Sequence, residues 1–382
     1  LLIAAKKNPK TIINGYTEIK DKKLFNSGHI PKVVFRMDGR LLYQSRAPIP
    51  TTKDKKFIKG LEEQLLNYIG VNTPILFSEE LTDLAGGKNK IGKIFLKRTD
   101  LHHDSSHKPV NAFSSCYFAK HILKVKRIIT ETGASMNARA VAAACAKLKL
   151  ECEVHIGAVD EKKVNLNRNI TELYGAKIVV VHDSTKTLLP AMASALRSWQ
   201  SSPDSMYVVG SVAGPHPYPQ MVRTWASIIG RIAKKQFKQI TGSVPSTLFA
   251  VCGGGSNLMS MAYPLLKERT SIFAVESGGD GIKTGRHGAT IHGGGKMGIL
   301  LGMKSKVVMH SSQIAESITE ASGLDFASCG PEVAYLHDIG RIKFLSSTDL
   351  EAKKTFLMCS KKLGILPAIE ACYVIHSALK EK

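Results

Sequence analysis

The sequence lacks the cysteine patterns of metal sites and disulfide frameworks. Its 382 residues contain seven cysteines, an odd number with no CxxC pair, so neither a zinc site nor a set of disulfides is indicated. Several of these cysteines stand within apolar stretches, and we expect them to be buried free thiols in a reducing compartment. The expected compartment is the cytoplasm, with an organelle as the alternative.

Long apolar runs, internal repeats and low-complexity tracts are also missing. No apolar run reaches the length that crosses a bilayer, so we expect a soluble protein with no membrane partner. A chain of this length can bury a large core and suggests two or three domains. The first residues, Leu1–Lys7, include no methionine, which suggests an incomplete amino terminus; the tail of a targeting segment is the weaker interpretation.

Acidic residues are scarce beside basic ones. The chain has 53 Lys and Arg against 31 Asp and Glu, a net charge of +22, and such an excess is an electrostatic signature of nucleic-acid binding. The lysines are scattered, however, and the spacings of zinc fingers or RNA-binding modules are absent. We therefore favour a lysine-rich solvated surface and expect no nucleic-acid partner.

Strand and helix patterns alternate along most of the chain. Short apolar runs predict strands, and longer runs with helical spacing predict helices between them. This alternation predicts an α/β fold with parallel sheets covered by helices, whose sites lie beyond the carboxyl ends of the strands. The predicted strands are 93–97, 127–130, 151–156, 177–181, 206–209, 248–252 and 271–275, and the predicted helices are 56–68, 110–124, 134–148, 163–174, 222–240 and 258–266.

A glycine run is the most informative feature that is present. The apolar segment Leu248–Cys252 ends in Gly253, Gly254 and Gly255, followed by Ser256 and Asn257. Glycines let the backbone approach a ligand and direct successive N–H groups at one anion, and the two polar side chains add further hydrogen bonds. The run is neither a Walker loop nor a GxGxxG dinucleotide motif. It predicts a phosphate site, with a plain loop as the alternative.

A lysine upstream of the glycine run is predicted to belong to the same site. Lys108 follows His107 and precedes Pro109, which suits the first turn of a helix. Desolvation and neighbouring charge lower the pKa of such a lysine and prepare it for Schiff-base chemistry. An exposed surface lysine is the alternative, but a phosphate cup combined with a reactive lysine is what pyridoxal phosphate requires.

Two further segments follow predicted strands. Glu131 stands at the end of one strand, where a carboxyl group suits acid–base work; a helix cap is the alternative. The N–H groups that open the next helix are predicted to bind a carboxylate. The segment Gly210–Pro219 is rich in glycine and proline and predicts a stiff loop, in which His216 is more typical of a structural residue than of a catalytic one.

From Tyr68 to Ala378 the chain resembles the β subunit of tryptophan synthase, a family of fold-type-II pyridoxal-phosphate enzymes. The resemblance implies two three-layer α/β domains with parallel twisted sheets and the cofactor between them. The first would comprise residues 1–73 and 107–225, with a mobile part at about 123–210, and the second 74–106 and 226–382. The resemblance is carried by FLKRTDL (95–101), His107-Lys108, ETGA (131–134), GSVAGPHPYP (210–219), GGGSN (253–257), TGRHG (284–288), GLDF (323–326) and GILPAIE (364–370).

The resemblance also implies a reaction, the condensation of L-serine with indole to give L-tryptophan and water. This is the last step of tryptophan biosynthesis and makes the enzyme a carbon–oxygen lyase. Lys108 would bind the cofactor and take the α-proton of serine, Glu131 would protonate the leaving hydroxyl, and Asp325 would meet that hydroxyl. A homodimer with an α subunit on each protomer is implied.

The remaining implied roles concern binding. Besides Lys108, the cofactor would contact His107, Gly253, Gly254, Gly255, Ser256, Asn257 and Glu370. The substrate carboxylate would contact Thr132, Gly133, Ala134, Ser135, Met136 and Asn137. A monovalent cation, Na⁺ or K⁺, would be bound near Gly253, Phe326 and Ser328.

The resemblance has departures. The family pattern GAGQHG reads GASMNA at 133–138, so two glycines are lost; where such a position needs positive φ, the replacement costs on the order of 1 kcal/mol or more. The chain ends at Lys382, before the family's NLSGRGD segment, whose serine contacts the pyridine nitrogen. Two alternatives stay open: a pyridoxal-phosphate paralogue with an altered amino-acid substrate, and a catalytically impaired homologue.

Overall fold

Two parallel β-sheets form the framework of the chain in a computed structural model. The structure describes residues 32–35, 41–45, 54–87, 92–162, 164–310 and 313–381, so the segment Leu1–Lys7 lies outside the described residues. The chain divides into two compact units, residues 1–50 and 51–382, and the first contributes one antiparallel pair of strands. All of the site predictions fall in the second unit.

The strands that the structure describes are short, and most of them follow runs of β-branched or aromatic residues. They are β1 (Lys32–Phe35), β2 (Leu41–Ser45), β3 (Ile75–Ser78), β4 (Ile94–Lys97), β5 (Arg127–Thr132), β6 (Glu151–Gly157), β7 (Lys177–Val181), β8 (Ser205–Val208), β9 (Thr247–Val251), β10 (Ser271–Ser277), β11 (Lys296–Leu300), β12 (Met303–Val307), β13 (Met309–His310), β14 (Gln313–Ile314) and β15 (Lys343–Ser347).

The α-helices alternate with these strands, as the sequence predicts. They are α1 (Lys55–Gln64), α2 (Glu79–Leu84), α3 (Lys108–Phe118), α4 (Met136–Leu148), α5 (Ala158–Glu161), α6 (Asn165–Leu173), α7 (Leu188–Gln200), α8 (Tyr218–Ala226), α9 (Ile228–Thr241), α10 (Ser256–Ala262), α11 (Pro331–Asp338), α12 (Asp349–Leu363) and α13 (Ile369–Lys380). Turns of π-helix at Leu65–Ile69 and Ala119–Leu123 continue α1 and α3.

The larger sheet has four parallel strands in the order β7-β6-β5-β8. Its central strand β5 is almost entirely buried, which is typical of a parallel strand covered by helices on both faces. The smaller sheet has three parallel strands in the order β15-β10-β9. The predicted α/β class with parallel sheets is therefore confirmed, whereas the domain boundaries given above remain a prediction.

One predicted element differs from the structure. The sequence predicts a single helix over 222–240, but α8 and α9 are separate helices that meet at Ser227. The ψ angle of Ser227 is −10°, and its hydroxyl donates to the carbonyl of Thr224 at 2.7 Å. This local bond competes with the helical ladder and bends the chain between the two helices.

The seven cysteines are all buried, as expected. Cys116 on α3 and Cys145 on α4 have sulfur atoms 3.9 Å apart, so they contribute to the packing of these two helices. No helix in the described part of the chain is long and apolar enough to cross a membrane.

Truncation of the core beneath the larger sheet should destabilise the fold. Ile128 on β5 has no exposed surface, and Ile128→Ala leaves a cavity there, so we expect a loss of about 2–5 kcal/mol in the free energy of unfolding. Leu173→Ala is the matched control, because that side chain is 85% exposed. Urea unfolding followed by circular dichroism measures both; equal midpoints for the two variants would contradict the burial of Ile128.

Candidate active site

A cavity of about 1200 Å³ lies where the predicted site residues meet. It is bordered by the segments that follow strands β4, β5, β8 and β9, which is the expected place for a site in parallel sheets. Every site residue predicted from the sequence lines this cavity, with the exception of Ser135 and Ser328. Residues that are scattered along the chain are thus brought to one place by the fold.

Lys108 is the first residue of α3 and is a half-buried residue that lines the cavity, with its amine withdrawn from water. Pro109 occupies the first turn of this helix, as its missing N–H and fixed φ predict. Burial lowers the pKa of the Lys108 amine, against the opposing influence of the carboxylates of Glu370 and Glu131. The side chain is therefore a buried amine that is easily deprotonated, and the alternative of an exposed surface lysine is wrong.

The three glycines join β9 to α10 and come very close to other parts of the chain. A Cβ atom on Gly254 would lie 2.2 Å from the Ser211 hydroxyl, and one on Gly255 would lie 2.7 Å from Val333. Gly255 also has a φ of +102°, a conformation that side chains disfavour. Side chains at these positions would therefore collide with neighbouring residues, and without them the backbone of the loop is accessible to a ligand.

His107 connects the lysine segment to the glycine loop. Its ring contacts the Ser256 hydroxyl at 3.1 Å through Nε2 and the Asn257 amide at 3.5 Å through Nδ1. Burial, and then the charge of Lys108, lower the pKa of His107 to about 3. This imidazole is therefore neutral, and it holds the two sides of the cavity together by hydrogen bonds.

Glu131 lies within strand β5 and is buried. Burial raises the pKa of its carboxyl to about 7, although a hydrogen bond with Tyr207, a backbone bond and the charge of Lys108 act in the opposite direction. The carboxyl can therefore both give and take a proton near neutral pH. Because Ser135 is the N-cap of α4, the alternative role of Glu131 as a helix cap is wrong.

The predicted carboxylate loop joins β5 to α4. Ser135 has a φ of +61° and makes no side-chain capping bond, so it adopts the conformation for which glycine is preferred, at a cost on the order of 1 kcal/mol. Asn137 turns inward and donates to the Thr130 hydroxyl and to the carbonyl of Glu131, both at 3.0 Å. The first turn of α4 is left with free backbone N–H groups beside the cavity.

The remaining predicted residues come from the carboxyl-terminal part of the chain. Asp325 and Phe326 line the cavity directly after a short 3₁₀ turn. Oε1 of Glu370 accepts a bond of 3.0 Å from the backbone N–H of Gly323. Ser328 is fully buried away from the cavity, and its hydroxyl donates to the carbonyl of Lys306 at 2.8 Å. The cation site near these residues remains a prediction.

Sequence reasoning missed several cavity-forming residues. Leu188 and Met192 of α7 line the cavity with apolar side chains, and Tyr207 interacts with Glu131. Leucine and methionine at helical spacing carry no sign of function, since the same pattern is typical of any core-facing helix. The one sequence signal that could have pointed to Tyr207 was its position just before the loop Gly210–Pro219.

Comparison with known proteins identifies the family. The family model for pyridoxal-phosphate dependent enzymes matches residues 66–382. The chain belongs to this family. Its relatives include the tryptophan synthase beta chain of Methylobacterium nodulans, 39% identical over 338 residues that cover 88% of this chain and 82% of that protein. The tryptophan synthase beta chain of Pseudomonas syringae pv. tomato is 39% identical over 330 residues, covering 86% and 79%.

Solved structures confirm the fold of this family. Serine racemase from Dictyostelium discoideum is similar with a TM-score of 0.62 at 15% identity, covering 85% of this chain and 90% of that one. The L-serine ammonia-lyase from Rhizomucor miehei has a TM-score of 0.61 at 16% identity, covering 81% and 86%. At these identities the likeness shows the fold alone, and it confirms the fold-type-II architecture implied by the sequence.

The cavity fits pyridoxal phosphate. A buried amine with a lowered pKa is what attachment of this cofactor needs, and the glycine loop offers a cradle that a Cβ atom at Gly254 or Gly255 would fill. Lys108 would bind the cofactor, while the backbone of the glycine loop with Ser256 and Asn257 would bind its phosphate. These assignments are proposals that rest on the geometry of the cavity.

Because Gly254 lies very close to Ser211, we expect a side chain at position 254 to lower the affinity for the cofactor. In Gly254→Ala the new methyl group collides with Ser211, and overpacking of this kind costs about 1–3 kcal/mol. We expect the affinity for pyridoxal phosphate to fall roughly 5- to 150-fold. Fluorescence titration of the variant with the cofactor measures the change.

The matched control is the double variant Gly254→Ala with Ser211→Gly. It removes the atoms with which the methyl group collides, so most of the affinity should return. If Gly254→Ala alone binds the cofactor as tightly as the wild type, the loop is not the phosphate cradle.

Proposed function

We propose that the protein condenses L-serine with indole to give L-tryptophan and water, as a pyridoxal-phosphate-dependent carbon–oxygen lyase. The observation that carries the proposal is that a buried amine, Lys108, and a buried carboxyl of pKa about 7, Glu131, face one cavity beside a glycine cradle. Relatives of 39–40% identity named tryptophan synthase beta chain support the choice of substrates.

Lys108 is proposed to bind the cofactor and to move the α-proton of serine. Bound pyridoxal phosphate supplies an electron sink for the bonds broken at the α-carbon. The lowered pKa of Lys108 makes its amine easier to deprotonate than that of a lysine in water, so it is proposed to take the proton as a neutral amine and to return it later. His107 remains neutral and fixes the lysine segment against the glycine loop.

Glu131 is proposed to transfer the second proton. Loss of the serine hydroxyl requires a proton donor at its oxygen, and attack by the indole carbon requires a group that accepts the proton then released. A carboxyl with a pKa of about 7 is present in both forms at neutral pH and can serve both steps in turn. Asp325, which lines the same cavity, is proposed to contact the serine hydroxyl.

The substrates would occupy different parts of the cavity. The carboxylate of serine would bind at the loop from Thr132 to Asn137, whose backbone N–H groups open helix α4. Leu188, Met192 and Val209 offer an apolar wall to the same cavity. Such a wall suits a flat aromatic acceptor like indole.

The names of the same relatives support a proposal for the assembly. We propose a homodimer that accepts an α subunit on each protomer, in the cytoplasm, with a monovalent cation near Gly253 and Phe326. These finer points rest on the resemblance to the tryptophan synthase β family and on the names of the relatives.

One observation favours a second candidate function, a pyridoxal-phosphate enzyme that acts on another amino acid. Met136 places a thioether at the cavity in the loop proposed to bind the substrate carboxylate, and its sulfur lies 3.8 Å from the Asn167 amide. An apolar thioether there, where the family pattern has glutamine, changes the polarity of the proposed substrate site. Turnover of another amino acid, with no tryptophan formed from serine and indole, would favour this candidate.

The visible absorbance of the full chain with pyridoxal phosphate tests the proposal. We expect a band of lysine-bound cofactor that changes on addition of L-serine, followed by formation of tryptophan when indole is added. Lys108→Ala should lose the band, because the covalent attachment is lost, and Lys97→Ala is the control, since Lys97 is a second cavity lysine of lowered pKa. An unchanged band in Lys108→Ala would remove Lys108 from its role.

Replacement of Glu131 should separate binding from catalysis. Glu131→Gln keeps the size of the side chain but cannot transfer a proton, so we expect the cofactor band to remain and tryptophan formation to fall about 100- to 10,000-fold. Tryptophan formation is measured by liquid chromatography at saturating serine and indole. A rate equal to that of the wild type would exclude Glu131 from the reaction.

A further inference from the structure

Two buried phenols stand at the two ends of the stiff loop. Tyr207 lies in β8 before the loop, and Tyr218 opens α8 after it. Both side chains are buried, and their rings meet edge to face with centroids 5.9 Å apart. The two ends of the loop Gly210–Pro217 therefore lie close together, and the two phenol rings are in contact.

The phenols are placed beside Glu131 by the register of the sheet. Tyr207 pairs with Ile129 of the neighbouring strand β5, and Glu131 follows two residues later on the same face. Glu131 also interacts electrostatically with Tyr218. The carboxyl group therefore has a phenol on the adjacent strand and another at the start of α8.

Tyr207 and Glu131 influence each other's charge. Burial raises the pKa of Glu131, the nearby hydroxyl of Tyr207 is the largest influence that lowers it, and Glu131 in turn adds to the rise in the pKa of Tyr207 that burial causes. Oε2 of Glu131 and the hydroxyls of Tyr207 and Tyr218 are all buried, and none of these atoms has a hydrogen-bond partner among the described residues. Buried polar groups without partners are costly, so a bond from Tyr207, on the adjacent strand, to Glu131 would satisfy both groups.

The other groups that face Glu131 do not replace this partner. Lys108 approaches from α3 and acts on the carboxyl through its charge. His155 pairs with Glu131 on strand β6, but its ring nitrogens are held by Glu153 and Ser194, each at 3.0 Å. Asn137 of α4 donates to the backbone carbonyl of Glu131 rather than to its carboxyl.

We propose that Tyr207 is a positioning residue, whose hydroxyl donates a hydrogen bond to the Glu131 carboxylate and holds it in one orientation with its charged form stabilised. The inference rests on the proposed function, in which Glu131 transfers protons, and adds the residue that controls this group. The proposal also assigns a role to the loop Gly210–Pro217, which follows strand β8 and fixes the position of Tyr207 beside Glu131.

The consequence is a shift in the pH at which Glu131 exchanges its proton. Tyr207→Phe removes the donor and keeps the ring, so the carboxylate loses stabilisation and binds a proton more readily. We expect the midpoint of its titration to rise from about 7 by about one pH unit, a tenfold change in proton affinity. Tyr218→Phe is the matched control, because Tyr218 lies at the start of α8 rather than on the strand next to Glu131 and interacts with the carboxyl through charge alone, so its midpoint should stay near that of the wild type.

Infrared titration of the full chain with bound pyridoxal phosphate makes this test. The carboxylic acid band of Glu131 is identified by its loss in Glu131→Gln, and its intensity is followed against pH in each variant. An unchanged or lower midpoint in Tyr207→Phe, or an equal shift in Tyr218→Phe, would overturn the proposal. This measurement does not require turnover, so it tests the role of Tyr207 separately from the proposed function. If the midpoint shifts as expected but the protein forms no tryptophan, the role of Tyr207 stands and the proposed function is wrong.

A second measurement does not depend on the folding of Tyr207→Phe. Protein grown with 3-fluorotyrosine carries more acidic phenols, which are stronger donors, so the midpoint of Glu131 should fall below that of the unlabelled protein. The Tyr218→Phe variant grown in the same way should show the same fall. A midpoint that does not move on fluorination would count against a bond from Tyr207.

Discussion

The desolvation of two ionisable groups in one cavity is the constraint on which the site depends. Burial acts on Lys108 and Glu131 in opposite directions, lowering the pKa of the amine and raising that of the carboxyl to about 7. Both changes favour the neutral forms, because a charge is costly away from water. The result is a carboxyl that can give and take a proton near neutral pH, beside an amine that loses its proton more readily than a lysine in solution.

Parallel sheets supply the rigid frame that this constraint requires. Strand β5 carries Glu131 and β9 leads into the glycine loop, so the site is assembled at the carboxyl ends of strands from two different sheets. The helices that follow contribute their first residues, where backbone N–H groups are free. The same architecture also buries the amine and the carboxyl, because the ends of two covered sheets enclose the cavity between them.

Much of this arrangement could be predicted from local sequence, and the rest depends on register. The glycine run and Pro109 after Lys108 carry signals within a few residues, since close approach and helix starts are local requirements. The interaction of Tyr207 with Glu131 depends on the pairing of β8 with β5, which no local pattern encodes. The break at Ser227 depends likewise on a side-chain bond within an otherwise helical run.

In the substituted loop after Glu131, the backbone and the side chains contribute differently to the candidate site. Ser135 keeps a left-handed conformation with a φ of +61°, so the turn is retained without glycine and its N–H groups still open helix α4. Asn137 uses its amide within the protein, on Thr130 and on the carbonyl of Glu131. Met136 and Asn137 both line the cavity, but the amide of Asn137 is engaged within the protein, so Met136 is the substituted side chain that can still contact a ligand. We therefore expect a change of substrate to depend on the apolar side chain of Met136 rather than on the backbone of the loop.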